Sequence, residues 1–369
     1  MAEKKEKKNP FTPSFGSVPP LMAGRATLIA DYIHGLGNGP GDPNYASILI
    51  GARGCGKTAL LTKIATEVGQ YGWIAAEVAS GPGLLEDILE RTAGSGREFL
   101  EQPARSHITS VSAAGMGIAR SFQPDKTGNW RTQMNKMLDQ LAVQDVGLLI
   151  SVDEVDAADP ELHQLVTNFQ FFVREGRKVA LLLAGLPQNV SELLQNKTIS
   201  FLRRAYQHHL GSVPLFDVRE TMQKTVEISE REVLDPELEV MAAATGGYPF
   251  LIQLIGYHVW RQSPEQERIS AEDVKRGIAF AKGMMDQMIF DTTVKELSEG
   301  DLKFLLAMLP DEAGSTTAEI AKRMGVTTNY AGQYRRRLIE QGIIEDMERG
   351  RLDFAIPMLR EYLEEKSVE

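Results

Sequence analysis

The segment Gly51-Ala-Arg-Gly-Cys-Gly-Lys-Thr58 sets two glycines and then a Lys-Thr pair at the spacing that cradles nucleotide phosphates. Glycine takes positive φ and lets main-chain N–H groups approach an anion closely. Lys57 is expected to bring its ammonium against the β- and γ-phosphates, and the Thr58 hydroxyl to bind Mg²⁺. Such chemistry needs carboxylates from elsewhere. They stand at the end of Val146-Gly-Leu-Leu-Ile-Ser-Val-Asp-Glu154. Asp153 would lie beside Thr58 and hold the metal through its water shell, and Glu154 would polarise an attacking water as general base. The phosphate-loop candidates are therefore Gly51, Arg53, Gly54, Cys55, Gly56, Lys57, Thr58 and Ala59. Cys55 also predicts that thiol reagents block nucleotide binding and that nucleotide protects the thiol.

These residues need a strand before the loop and a helix after it. Residues 45–50 form an apolar run ending at Gly51, and residues 57–66 carry apolar positions at helical spacing, which predicts that pair of elements. Further strands are expected over 73–78, 146–152 and 179–183, alternating with helical patterns. That alternation predicts an α/β core, a parallel sheet covered by helices, over residues 21–215. Asp159, Pro160 and Glu161 read as a helix start. Between residues 93 and 128 the pattern weakens, and His107–Ala119 is expected to form an inserted hairpin; residues 130–141 read as a helix. Residues 1–20 are charged and then rich in Pro, Gly and Ser, a flexible tail expected to lie along the first domain through Phe11 and Phe15.

Residues 216–294 read as helical, with no strand signal. Residues 295–369 have a pattern of their own: helices over 301–309, 316–324 (Gly325 as its cap) and 328–341, then two short apolar runs flanking Glu348-Arg-Gly-Arg351. Helix, helix, turn, helix and hairpin make the winged-helix layout, whose third helix commonly enters the DNA major groove. On that helix Ala331, Tyr334 and Leu338 face inward, while Asn329, Gln333 and Arg336, with Arg337 beside them, suit base edges and phosphates. The wing adds Arg349 and Arg351. Acidic residues crowd the same module (Glu340, Glu345, Asp346, Glu348 and Asp353), so a protein-contacting module is the competing reading.

The 369 residues carry a formal net charge of −10, 43% hydrophobic and 24% charged residues. That balance argues against a surface coated for nonspecific nucleic-acid binding, though not against a local basic patch. One cysteine and six histidines leave no intrachain disulfide and no zinc-site spacing. No apolar run approaches membrane-spanning length, and Lys4–Lys8 leads into Asn-Pro-Phe-Thr-Pro, not an apolar leader, so a cytoplasmic protein without a membrane partner is expected. Arg203 and Arg204 are candidates to stabilise transferred phosphoryl charge, one of them reaching a neighbouring subunit's nucleotide.

Taken together, these residues resemble the AAA+ superfamily, near its prokaryotic initiator-like and STAND-like branches. Pro19-Pro-Leu-Met-Ala-Gly-Arg25 is similar to the segment that packs on adenine, with Arg25 as a contact. Leu181–Gln188 looks like the end of the sensor strand, although only Gln188 stands where a sensor residue is usual. Ala244–Gln253, with Tyr248 and Pro249, resembles the Gly-x-Pro segment of a helical lid. The resemblance implies a P-loop NTPase core, a lid over 216–294 and a winged helix over 295–369, using ATP/ADP and Mg²⁺. It implies a slow ATPase switch: the winged helix contacts double-stranded DNA in an ATP-controlled homo-oligomer. The alternative is a STAND-like signalling or defence ATPase whose winged helix contacts an unknown protein partner. A small-molecule P-loop kinase fits least, since it has no place for lid and winged helix.

Overall fold

Four apolar runs become strands because a parallel sheet covered on both faces buries most of the residues it contains. The computed structural model describes residues 7–14, 16–100, 129–347 and 350–368. The strands are β1 Ala46–Ile50, β2 Trp73–Ala79, β3 Gly147–Asp153, β4 Val179–Gly185 and β5 Tyr206–His209. They lie in the order β2-β3-β4-β1-β5, all neighbours parallel. Alternate residues serve opposite faces: Ile48, Ile150 and Leu181 join one apolar cluster, Leu49, Leu149 and Leu182 the other. The inserted hairpin expected over His107–Ala119 lies outside the described residues.

The sheet is covered by α1 Ala26–Asn38, α2 Lys57–Val68, α3 Leu84–Ser95, α4 Arg97–Leu100, α5 Trp130–Val143, α6 Pro160–Arg174 and α7 Pro187–Gln195. Asp159 caps α6 by accepting from the Glu161 N–H at 2.8 Å, and it also accepts from the Ser80 hydroxyl and the Gly81 N–H. One side chain thus ties the turn after β2 to the start of α6.

Next come α8 Leu215–Ile228, α9 Asp235–Ala244, α10 Pro249–Trp260 and α11 Ala271–Met285. A two-residue pairing, β6 Glu232–Val233 with β7 Arg268–Ile269, interrupts this region, where the sequence had given no strand signal; elements that short leave no periodicity to read. A π-turn over Asp286–Phe290 carries α11 into α12 Asp291–Glu296.

The rest comprises α13 Glu299–Met308, β8 Ser315–Thr316, α14 Thr317–Met324, α15 Thr328–Glu340, β9 Ile344–Asp346, β10 Arg351–Phe354 and α16 Leu359–Val368. The last three strands form an antiparallel sheet in the order β8-β10-β9. Gly325 ends α14 at φ 68°. Side chains of these helices and of α8–α11 share one apolar cluster.

The N-terminal segment follows α10 and not the sheet. Asn9 donates to the Tyr257 carbonyl at 3.1 Å, the Thr12 N–H to the Gln253 side chain at 3.0 Å, and the Trp260 indole to the Lys7 carbonyl at 3.3 Å. Buried Phe11 fills the space where Gly256 has no side chain. The expectation that this tail lies along the first domain is corrected in that respect: the slot for Phe11 is on the helical region. Phe15 lies outside the described residues.

Candidate nucleotide site

The loop is built where β1 ends and α2 begins. Gly54 and Gly56 have φ of 75° and 87°, conformations that favour glycine. Gly51 is confined differently: a Cβ there would lie 2.9 Å from the Leu210 carbonyl oxygen. No side chain caps the first turn of α2, so its N–H groups and the positive end of its dipole face the loop. Buried Leu60, Leu61, Ile64 and Val68 fix the helix against the sheet.

Lys57 donates to the carbonyls of Gly51 and Ala52, each at 2.9 Å. The ammonium is therefore held over the loop. The Thr58 hydroxyl donates to Asp153 Oδ2 at 2.5 Å, although β4 lies between β1 and β3 in the sheet. Residues 95 apart in sequence thus meet, one in the first turn of α2 and one at the end of β3. Oxygen donors of this kind suit Mg²⁺. Among the described residues, no group of three or more His, Cys, Asp and Glu side chains could hold a metal by itself. The fit is to a metal that would share its shell with phosphates and water. Glu154 follows, exposed, at φ 51°.

Cys55 is different from the expectation. It is 5% exposed, and burial pushes its thiol pKa up against the opposing pull of nearby Lys57 and Arg25. Since the thiolate is the reactive species, this buried thiol should react slowly with thiol reagents. Arg25 donates to the Gly211 carbonyl at 2.8 Å and so ties the segment before α1 to the chain after β5. Ala59 lies in the first turn of α2, half-buried.

The turn into α10 lies directly on the loop. Tyr248 donates its hydroxyl to the Arg53 carbonyl, and the Phe250 N–H donates to the Gly54 carbonyl at 3.2 Å. Tyr248 is the N-cap of α10 and Pro249 its first residue. The segment is itself anchored: the Val213 N–H donates to the Gly247 carbonyl at 2.8 Å. The C-terminal region reaches the loop too. The Arg53 guanidinium lies 3.9 Å from the Glu296 carboxylate, and a Cβ on Gly342 would fall 2.9 Å from that of Ala52. Neither of these last two contacts leaves a mark in residue pattern or spacing.

Arg203 and Arg204 are exposed in the turn before β5; Arg203 donates through Nε to the Leu194 carbonyl at 2.8 Å. They lie away from the bonds that join Lys57, Thr58 and Asp153.

On α15, Asn329, Gln333 and Arg336 form an exposed row, and Ala331 and Leu338 are fully buried behind it. Arg336 is 80% exposed and 3.7 Å from Glu340. Arg337 is otherwise occupied. It donates through Nε to Asp301 at 2.9 Å and through a terminal nitrogen to Ser298 at 3.0 Å, and Asp301 is buried. Arg337 is thus also a support of α13, while its side chain stays 45% exposed. Without it Asp301 keeps its bonds from the Ser298 N–H and hydroxyl, so Arg337→Ala should destabilise the protein by about 1 kcal/mol, read as a lower urea midpoint at unchanged slope. Arg351 donates to the Gly314 carbonyl and so braces the small sheet. Arg349 lies outside the described residues.

A parallel five-stranded sheet in this order, with a glycine-rich loop between β1 and α2, is an α/β fold of the P-loop NTPase kind. Solved structures agree in fold across the chain. The ORC2 protein of Aeropyrum pernix, solved in ADPNP–ADP complexes, is 14% identical with a TM-score of 0.62, covering 97% of this chain and 98% of its own. A Walker-type ATPase of Pyrococcus abyssi is 13% identical at 0.62, covering 93% and 96%. Cdc6p of Pyrobaculum aerophilum is 16% identical at 0.50, covering 96% and 97%. A family model described as a domain of unknown function (DUF8462) matches residues 287–363. No curated protein matches the chain. Among the described residues, no helix is long and apolar enough to cross a membrane.

Proposed function

We propose that this chain is an ATP-binding, slowly hydrolysing switch. The observation that carries the reading is the bond between Thr58 and Asp153 at 2.5 Å. It joins the two segments that a nucleotide–magnesium site needs, beside a lysine already held over the loop. In this reading the loop amides and Lys57 hold ATP or ADP. Thr58 and Asp153 hold Mg²⁺, which would supply charge neutralisation at the phosphates. Glu154 accepts a proton from water. Arg25, Tyr248 and Pro249 border the nucleotide, with Arg203 or Arg204 supplied to a neighbouring copy's site. The core spans residues 21–215, the lid 216–294 and a winged helix 295–369, in a cytoplasmic protein. Titration calorimetry with magnesium and adenine nucleotides tests the core of this reading. Absence of both heat and thermal protection would reject it.

The DNA-directed part rests on the exposed row Asn329, Gln333 and Arg336. Each phosphate-neutralising arginine contributes about one unit to the dependence of log affinity on log salt. Arg336→Ala should therefore weaken duplex binding uniformly across sequences and reduce that slope by about 1. A duplex affinity with ATP that ignores both salt and this change would exclude DNA contact through α15. The signalling reading, with a protein partner, draws support from a separate fact. Arg335, Arg336 and Arg337 each have a carboxylate partner, which lowers the positive potential of the helix. Arg336 is the informative position because changing Arg337 perturbs α13 as well.

A further inference from the structure

Glu154 holds a backbone conformation that is unfavourable for its residue type. Its φ of 51° lies in the left-handed region, which a non-glycine side chain keeps only where the surroundings over-determine it. The surroundings here are specific. On one side, the Glu154 N–H donates to Asp153 Oδ1 at 2.9 Å. On the other, Val155 is fully buried and anchored three ways. Its N–H donates to the Ala184 carbonyl of β4 at 2.9 Å. Its carbonyl accepts from Asn189 Nδ2, also at 2.9 Å. Its Cγ2 takes up the space that a Cβ on Gly185 would need, and Val190 Cγ2 stands 3.1 Å from that same point. Asn189 belongs to the first turn of α7.

We propose that Asn189 is a positioning residue for hydrolysis: by holding the Val155 carbonyl, it fixes the left-handed turn that carries the Glu154 carboxylate. The inference rests on the reading of Glu154 as general base. It assigns a role to the region after β4 that differs from contact with a γ-phosphate, because the amide is bonded to a protein carbonyl. Gly185 belongs to the same device. It keeps β4 open for Val155, so the end of the sensor strand and the catalytic glutamate move as one body.

The experiment uses the full chain with magnesium ATP. Hydrolysis, ATP affinity, ADP affinity and melting without nucleotide are measured for the parent, Asn189→Ala, Asn189→Asp and Glu154→Gln. A misplacement of about 1 Å in a catalytic group costs on the order of 100-fold in rate, so Asn189→Ala should lose about that much turnover. Both nucleotide affinities should stay at parent values. Asn189→Asp should fall equally, since an ionised carboxylate has no proton to donate to a carbonyl. Gly185→Ala should produce the same loss from the other side, and Val155→Ala in that background should restore activity by making room. Amide exchange over residues 154–156 should quicken in Asn189→Ala.

Parent-like turnover in Asn189→Ala beside an inactive Glu154→Gln would overturn the clamp and leave the general base standing. A selective loss of ATP affinity over ADP would also overturn it, making Asn189 a phosphate contact. Parent-like turnover in Glu154→Gln would remove the base, and the clamp with it.

Discussion

Glu154→Gln should bind ATP as the parent does and hydrolyse it about a thousandfold more slowly, within the range that general-base removal produces. The amide matches the carboxylate in shape but cannot accept the proton that water must lose. Glu154 is exposed, so the exchange leaves no buried group without a partner, and thermal stability should not change. In the proposed reading metal and phosphates are held by other atoms: Thr58 and Asp153, which bond to one another, and Lys57, which bonds to the loop. Binding and turnover should therefore separate. Phosphate release at saturating ATP measures the second, and titration calorimetry the first. Equal phosphate release by both proteins would take Glu154 out of the reaction. The trapped state would also allow a direct look at assembly, because sizing the variant with ATP and duplex DNA removes hydrolysis as a variable.

The core was legible because its signals are local. Strands β1 to β4 are mostly apolar, and their burial writes itself into runs such as Val179–Ala184. The loop was legible because positive φ demands glycine at Gly54 and Gly56. Strand β5 was not. Tyr206-Gln-His-His209 is polar and mostly exposed at a sheet edge, and an edge strand needs no apolar run. The role of Arg337 was hidden for another reason. On a helical wheel it falls beside an exposed row, and only the fold brings buried Asp301 from α13 under its guanidinium. Phe11 was recognisable as an anchor, but its slot exists because Gly256 sits on a helix 245 positions away. Contacts of the lid and C-terminal region with the loop are likewise products of packing. A glycine at 342 does not announce Ala52, nor a glutamate at 296 Arg53.

Those contacts bear on the second large effect expected. Lys57→Ala should abolish measurable binding of ATP and ADP. In the proposed site the ammonium is the positive side chain held inside the loop, by two carbonyls. Without it, the β- and γ-phosphates would lose that charge and keep the N–H groups of the loop and of α2, the metal, and the arginines at the rim. Thermal protection gives the clearest measure. A ligand at a hundred times its dissociation constant stabilises its host by about 2.7 kcal/mol, so the parent's melting temperature should climb with nucleotide and that of Lys57→Ala should not. The comparison must be made against each protein's own nucleotide-free melt. Loss of the two bonds to Gly51 and Ala52 loosens a loop that also supports Tyr248 and Phe250 of the lid, so the variant should start slightly less stable. Nucleotide-dependent protection equal to the parent's would show that the binding energy comes from outside this loop, and the assignment of the loop as the phosphate site would fall.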